Sequence, residues 1–267
     1  SGFTLHVLIL ICRLLAEKSL NIIYSIDSKE TGRDLSRNRL QPMLQDCKAT
    51  ALTMEENDED VATLSYNLPR GQLWIVGATN AAQGASKPAG FVAADELEKQ
   101  KHPKGETHFW YLLINRIKRK EGGKAVGFST PTTETGITHV GYTEGSQHRY
   151  FVPCPHCRHY QFIDWKWIRW EHCRDERGNP DLRKILADTY LECSSCGERI
   201  DEDHKPDMML AGETRPTNFR EETVNGEKRW VPAWPPGAMS FHISDLYSLH
   251  PESTWGHIAV EFVLAQD

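Results

Sequence analysis

Two textures of apolar and polar positions follow one another along this chain. In the first 130 residues, short dense apolar runs alternate with stretches of helical period. The run from Leu5 to Leu15, interrupted by His6, Cys12 and Arg13, predicts a buried helix from Thr4 to about Glu17. Asn21 to Ile26 then reads as a short buried strand closed by Asp27-Ser28. Between Lys29 and Asp46, Leu35, Leu40, Met43 and Leu44 recur with Arg33, Arg37 and Arg39 among them, a helix that Pro42 should kink or divide. The acidic stretch Met54 to Asp60 is expected to be a surface loop. Gly71 to Ala78 has the apolar density of a strand, Thr79 to Gly90 reads as a loop of small residues, and Phe91 to Ala94 is strand-like and ends in Asp95-Glu96. Phe109 to Lys120 is helical, with Arg116, Lys118, Arg119 and Lys120 placed where the helix dipole favours cations, and Gly122-Gly123 stops it. Ala125 to Phe128 is a further strand, ending in Ser129-Thr130-Pro131. Strands alternating with helices imply an α/β sheet with mainly parallel strands, helices on both faces and ligands at the strands' C-terminal ends.

After about Tyr150 the texture turns to Cys, Trp, His and Pro, which marks a second module. Pro232 to Gly237 reads as an ordered loop. Behind Ser253-Thr254, which suit an N-cap, Trp255, Ile258, Ala259, Phe262 and Val263 recur at helical spacing. No internal repeat stands out. The apolar run at the start falls short of the roughly 18–20 residues a membrane span needs, so no membrane contact is expected. The 267 residues fit one large domain or a domain with an appended module. A net charge of −6 speaks against a simple basic nucleic-acid binder, yet leaves room for a local basic groove.

The sharpest local pattern is a pair of CxxC knuckles, Cys154-Pro155-His156-Cys157 and Cys193-Ser194-Ser195-Cys196-Gly197, separated by 35 residues. Two residues between cysteines let one turn aim both thiolates at one ion, and two such turns complete a tetrahedral shell. The set therefore predicts a structural Zn2+ in a zinc-ribbon-like module, closed because four thiolates leave no position for water; disulfides and inert thiols are the competing readings. Of the remaining cysteines, Cys12 and Cys47 are expected to be buried in helices, and Cys173, beside His172, to be a loop residue with a spare ligand as the alternative. Phe91-Val92-Ala93-Ala94-Asp95-Glu96 has the form of a Walker B element, in which the first carboxylate holds Mg2+ and the second polarises the water that attacks a γ-phosphate. The same pattern also fits a strand that runs into a charged turn. Ser129-Thr130-Pro131-Thr132 suits a hydroxyl sensor of nucleotide state or a plain turn, and Arg116 to Lys120 a phosphate-tracking cluster or a solvated face. The full GxxxxGK[ST] pattern is absent. Ser1-Gly2-Phe3-Thr4 stands where its last residues would be, with Phe3 in the usual lysine position.

Taken in order, these pieces resemble the large terminase subunit of tailed phages, the lambda-type GpA family. The resemblance is carried by Ser36-Arg37-Asn38-Arg39-Leu40-Gln41-Pro42-Met43-Leu44, Asp95-Glu96-Leu97-Glu98, Phe128-Ser129-Thr130-Pro131-Thr132, the segments around both knuckles, and Phe241-His242-Ile243-Ser244-Asp245-Leu246-Tyr247-Ser248. It implies an ATP-driven motor of the P-loop NTPase type that moves double-stranded DNA into a procapsid in the host cytoplasm. A small terminase subunit and the portal protein are its implied partners, a homo-oligomeric ring its working form, and a separate nuclease domain its cutting part. Asp95 would be the Mg2+ carboxylate, Glu96 the catalytic carboxylate, Ser129 and Thr130 the coupling pair, and Gly2 and Thr4 the end of the phosphate-binding loop for ATP. Arg158 departs from the family in replacing the glycine that usually follows the first knuckle. The expected organisation is an ATPase core over 1–150, cut at its start inside the P-loop, a zinc-ribbon-like insert over 151–200, and a connector over 201–267 toward an absent nuclease. Such a piece alone should bind ATP poorly and cleave no DNA. The competing functions are a non-enzymatic zinc-ribbon nucleic-acid-binding protein and a helicase or transposition ATPase.

Overall fold

Near-continuous apolar runs at 22–26, 71–77 and 91–95 require strands buried on both faces, which is what a parallel sheet between helices provides. The computed structural model describes residues 2–47, 64–68, 70–78, 87–100, 108–117, 122–224 and 227–266. The chain divides into two compact units, Ser1–Val140 and Gly141–Asp267. The first holds a five-stranded sheet of β1 (Ile22–Ile26), β2 (Ser65–Leu68), β3 (Gly71–Gly77), β4 (Phe91–Asp95) and β5 (Lys124–Phe128), in the order β2-β3-β1-β4-β5. All pairings are parallel except β2 with β3. The register sets Ser25 of β1 beside Ala94 of β4, and Asp95 beside Phe128 of β5.

Alternation along these strands splits their side chains between two cores. Ile22, Tyr24, Ile26, Leu73, Ile75, Phe91 and Ala93 face Val7, Leu8, Ile11 and Leu15 of the helix Gly2–Glu17, together with Leu40 and Leu44. Ile23, Trp74, Val76 and Val92 face Phe109, Leu113 and Ile117 of the helix Phe109–Ile117. Helices thus cover both faces of the sheet, as the pattern implied. The first helix is less enclosed than its composition suggested, since Phe3, Leu5, Ile9 and Leu10 lie on an exposed side. Among the described residues, no helix is long and apolar enough to cross a membrane.

The helix expected over 29–46 is continuous but changes register upstream of Pro42. It runs as Lys29–Leu35, a π-helical turn Ser36–Leu40, and Gln41–Asp46, with Gln41 N–H donating to the Ser36 carbonyl. Pro42 has no N–H to give, and the widened turn absorbs the missing donor. Cys12 is buried, as expected, whereas Cys47 is only half-buried, because it sits at the C-terminal cap of this helix. The edge strand β2 was not anticipated. Ser-Tyr-Asn-Leu is four residues long, and its alternation buries Tyr66 and Leu68 while leaving Asn67 exposed. The loop expected over 54–60 lies outside the described residues, as do 79–86 of the small-residue stretch and 118–120 of the basic helix end.

The second unit is built from small antiparallel pieces. β6 (His148–Pro153) pairs with β7 (Tyr160–Phe162); β8 (Ile168–Arg169), β9 (Tyr190–Glu192) and β10 (Arg199–Ile200) form a second sheet. β11 (Glu213–Arg215) joins β6, β12 (Phe219–Val224) and β13 (Glu227–Pro232) make a hairpin, and β14 (Phe241–His242) runs parallel to β6. Val152, Ile163, Ile168, Leu191, Ile200 and Leu246 pack around fully buried Trp255, the first residue of the helix Trp255–Leu264. Thr254 caps that helix by accepting the His257 N–H at 3.2 Å.

Candidate active site and metal centre

β4 is buried along its whole length and delivers Asp95, 5% exposed, at the C-terminal edge of the sheet. A buried carboxylate must be paired with donors. Tyr24 of β1 donates its hydroxyl to Asp95 Oδ2 at 2.6 Å, and Thr4, in the first turn of the opening helix, donates at 2.9 Å to the same oxygen. Burial, and then the bond to Asp95 and its charge, push the Tyr24 phenol far above its ordinary range, so it stays a donor. Beneath the carboxylate, Gln100 donates to the Asp95 carbonyl at 2.8 Å and accepts from Ser25 at 2.8 Å, a fully buried bridge between β4 and β1.

Glu96 leaves the strand with φ 50° and ψ 46°, the left-handed conformation, which turns the chain into the 3-10 turn Leu97–Lys99. Its carboxylate is half-exposed and lies 3.2 Å from Lys99 Nζ. Glu98 reaches the other way, toward the loop after β5. Its N–H donates to Ser129 Oγ at 3.2 Å, its Oε1 accepts from Thr132 Oγ1 at 3.0 Å and its Oε2 from the Thr138 N–H at 3.0 Å. Burial opposes, but the bonds from Thr138 and Thr132 outweigh it and hold the Glu98 carboxyl below its ordinary value.

Of the residues singled out from sequence, Thr4 and Asp95 are brought into contact across 91 positions, and Ser129 meets the acidic turn through the Glu98 amide. Thr130 is exposed and makes no side-chain hydrogen bond among the described residues. Gly2 is exposed in the first helical turn, with its carbonyl oxygen 2.7 Å from His6 Nδ1. Tyr24, Gln100 and Glu98 were missed as functional residues. Only the placement of Tyr24 at the middle of a buried strand hinted at a role, because a buried phenol needs an acceptor. For Mg2+ the donors fit: both bonds to Asp95 fall on Oδ2, and Oδ1 takes none among the described residues, which leaves a hard carboxylate oxygen next to a hydroxyl.

In the second unit each CxxC knuckle is the turn of an antiparallel hairpin, the first between β6 and β7 and the second between β9 and β10. Both use the same two backbone bonds: Cys154 N–H to the His159 carbonyl and Arg158 N–H to the Cys154 carbonyl, then Cys193 N–H to Glu198 and Gly197 N–H to Cys193. Arg158 at φ 64° and Gly197 at φ 73° hold the equivalent left-handed positions. The four sulfurs lie within 4.8 Å of one another, with Cys154 to Cys196 at 4.0 Å and Cys157 to Cys193 at 3.8 Å. A tetrahedron with Zn–S bonds of about 2.3 Å has edges of about 3.8 Å, so the donor set fits a thiolate-bound ion. Burial pushes the Cys154 thiol up to about 12, whereas at Cys193 burial is outweighed by backbone N–H groups of Cys196 and Ser195 and the thiol falls to about 7. Cys173 lies in a loop, as expected, but is buried against Ile185, Ala259 and Val263. Its neighbour His172 is 2.9 Å from Asp188, whose carboxyl Arg199 and then His172 hold below the ordinary range, so Asp188 is hydrogen-bonded to His172 and ion-paired with Arg199.

A mainly parallel sheet with helices on both faces, and a buried aspartate at its C-terminal edge beside the start of a helix, defines an α/β protein of the kind that binds ligands at strand ends. The family model for the ATPase domain of the phage terminase large subunit gpA matches residues 1–213, and the chain belongs to that family. It is an ATPase domain of the phage DNA-packaging terminases, and use of nucleotide with Mg2+ follows. A search among curated proteins gives no match.

Proposed function

We propose that this chain is the motor part of a terminase large subunit of the P-loop NTPase type, coupling ATP hydrolysis to the movement of double-stranded DNA into a procapsid. The observation that carries this reading is the 2.9 Å bond from Thr4 to Asp95, which joins the start of the first helix to the end of β4 where a nucleotide and its ion would meet. In this reading Gly2 and Thr4 end the phosphate-binding loop. Asp95 is held in one rotamer by Tyr24 and Thr4 and presents Oδ1 to the ion. When bound there, Mg2+ would be held through Asp95 and would neutralise the charge that develops on the nucleotide's phosphates.

Glu96 orients the attacking water and takes its proton as the water oxygen bonds to the γ-phosphorus and the bond to the β-phosphate oxygen breaks. Its pairing with Lys99 is exposed and weak, so release toward the phosphate costs little. Ser129 and Thr130 form the segment that couples γ-phosphate state to DNA movement. The four cysteines hold a structural zinc that joins the two hairpins. Concatemer cutting belongs to a nuclease domain outside these residues, and a ring of subunits docked on the portal, with the small terminase subunit, is the assembly in which the motor works.

Glu96→Gln in the full-length protein tests the site. Turnover should fall by about three orders of magnitude or more with ATP binding within twofold of wild type, by analogy with the loss of a water-positioning group; retained turnover would remove Glu96 from the reaction.

A further inference from the structure

Thr132 and the Thr138 amide both close on one side chain of the acidic turn, Glu98, while Ser129 accepts from the Glu98 backbone N–H. Gly136 completes the enclosure. A Cβ there would stand 1.8 Å from Glu98 Oε1, so the loop fits around the carboxylate only because that position is bare. The bond to Thr138 N–H also has a specific structural place. Thr138 lies in the first turn of the helix Ile137–Glu144, whose N-terminal amides need acceptors, and that turn carries no acidic residue of its own. Glu98 is therefore an acceptor supplied from 40 positions upstream. The helix it caps spans the boundary at Val140 between the two units of the chain.

The other end of the same turn is under strain. Glu96 is a non-glycine residue at φ 50°, a conformation that disfavours a side chain and that persists where surroundings enforce it. Between Glu96 and Glu98, Leu97 is buried, and a Cβ on Gly127 of β5 would come within 2.9 Å of its Cδ2. The turn is thus pinned in the middle and carries one carboxylate at each end, Glu96 toward solvent and Glu98 into the loop.

We propose that Glu98 is the positioning residue through which the setting of the Asp95–Glu96 turn reaches the Ser129–Thr138 loop and the helix behind it. This rests on the assignment of Asp95 and Glu96 to the ATPase site. Movement of Glu96 toward a γ-phosphate relaxes its backbone, tilts the turn about Leu97, and carries Thr132 and the capped amide of Thr138 with Glu98. The link runs through the Glu98 carboxylate.

The test combines kinetics on the full-length protein with amide exchange on this chain. Glu98→Ala should lower kcat about tenfold or more while leaving the KM for ATP within about twofold, and should remove protection of the Thr138 amide. Glu98→Gln should restore both to within about threefold, because a glutamine carbonyl accepts from Thr138 N–H and its NH2 donates to the Thr132 hydroxyl. Glu98→Asp, one methylene shorter, should not. Gly136→Ala should act like Glu98→Ala in the wild-type background and add nothing in the Glu98→Ala background, where the space is free. A purely structural role would give none of this pattern of rescue. Wild-type kcat in both Glu98→Ala and Gly136→Ala, with Glu96→Gln inactive, overturns the link and leaves the ATPase assignment standing. Full turnover in Glu96→Gln overturns the assignment itself, and a Thr138 amide still protected in Glu98→Ala overturns the clamp.

Discussion

The acidic turn and the cysteine cluster are built on opposite principles. Each knuckle is a local object: four residues, two backbone hydrogen bonds and one left-handed residue, made once at Cys154–Cys157 and again at Cys193–Cys196. The acidic turn is assembled from a distance. Asp95 is held by Thr4 and Tyr24, its carbonyl by a glutamine that also bridges to Ser25, and Glu98, three residues on, by Thr132 and Thr138. A local device can be read from spacing and tolerates change around it. A distributed one depends on the whole sheet being in register, and loss of any one member leaves a buried polar group without its partner.

That contrast can be broken most forcefully at the cysteines. Cys154→Ser should drop bound zinc from about one per chain to near zero and loosen the core around Trp255, visible in tryptophan fluorescence, since structural zinc contributes on the order of 10 kcal/mol in small domains. Metal content unchanged by the substitution would mean the four sulfurs do not act together. Next in size, Tyr24→Phe and Gln100→Ala should each cost the first unit roughly 1–3 kcal/mol in urea unfolding, the penalty for an unpaired buried polar group. If both are neutral, the long-range network is not what holds the turn.

Acid sharpens the comparison further. The Glu98 carboxyl is held below its ordinary value, so its folded form contributes stability that is present above the normal glutamate range and is lost as pH falls through the lowered value. A carboxyl titration should place its midpoint below that of an exposed glutamate, with Thr138 amide protection lost at the same midpoint; a midpoint at or above the exposed value would contradict the clamp. The smallest effect belongs to the knuckle. Arg158→Gly should stabilise the second unit by about 1 kcal/mol, because the left-handed position at φ 64° disfavours any side chain. Destabilisation would show that the Arg158 side chain earns its place through contacts elsewhere.

Much of this was legible in the residues. The strands at 22–26, 71–77, 91–95 and 124–128 and the helices around them follow from apolar density and period, which act over a few residues. The edge strand at 65–68 escaped because four alternating residues carry too weak a pattern. The register change before Pro42 escaped because a missing donor can be absorbed by a kink, a break or a wider turn, and only packing chooses among them. Lys205 is the extreme case. Nothing in Asp203-His204-Lys205-Pro206 announces a side chain 1% exposed, paired with Glu202 at 2.8 Å and lying over the Trp255 ring.

By itself, the order of residues determined the class of fold, the family, the two knuckles and the acidic pair, because each rests on chemistry repeated within a few positions. Tertiary structure alone decided which hydroxyls hold Asp95, that Glu96 faces Lys99, and that Glu98 faces the loop after β5. The choices at Asp95 and Glu98 depend on parallel pairing of β1, β4 and β5, which brings together residues dozens of positions apart, whereas the Glu96–Lys99 contact is set by the left-handed turn itself. Spacing along a chain carries no information about neighbours of that kind until the sheet has closed.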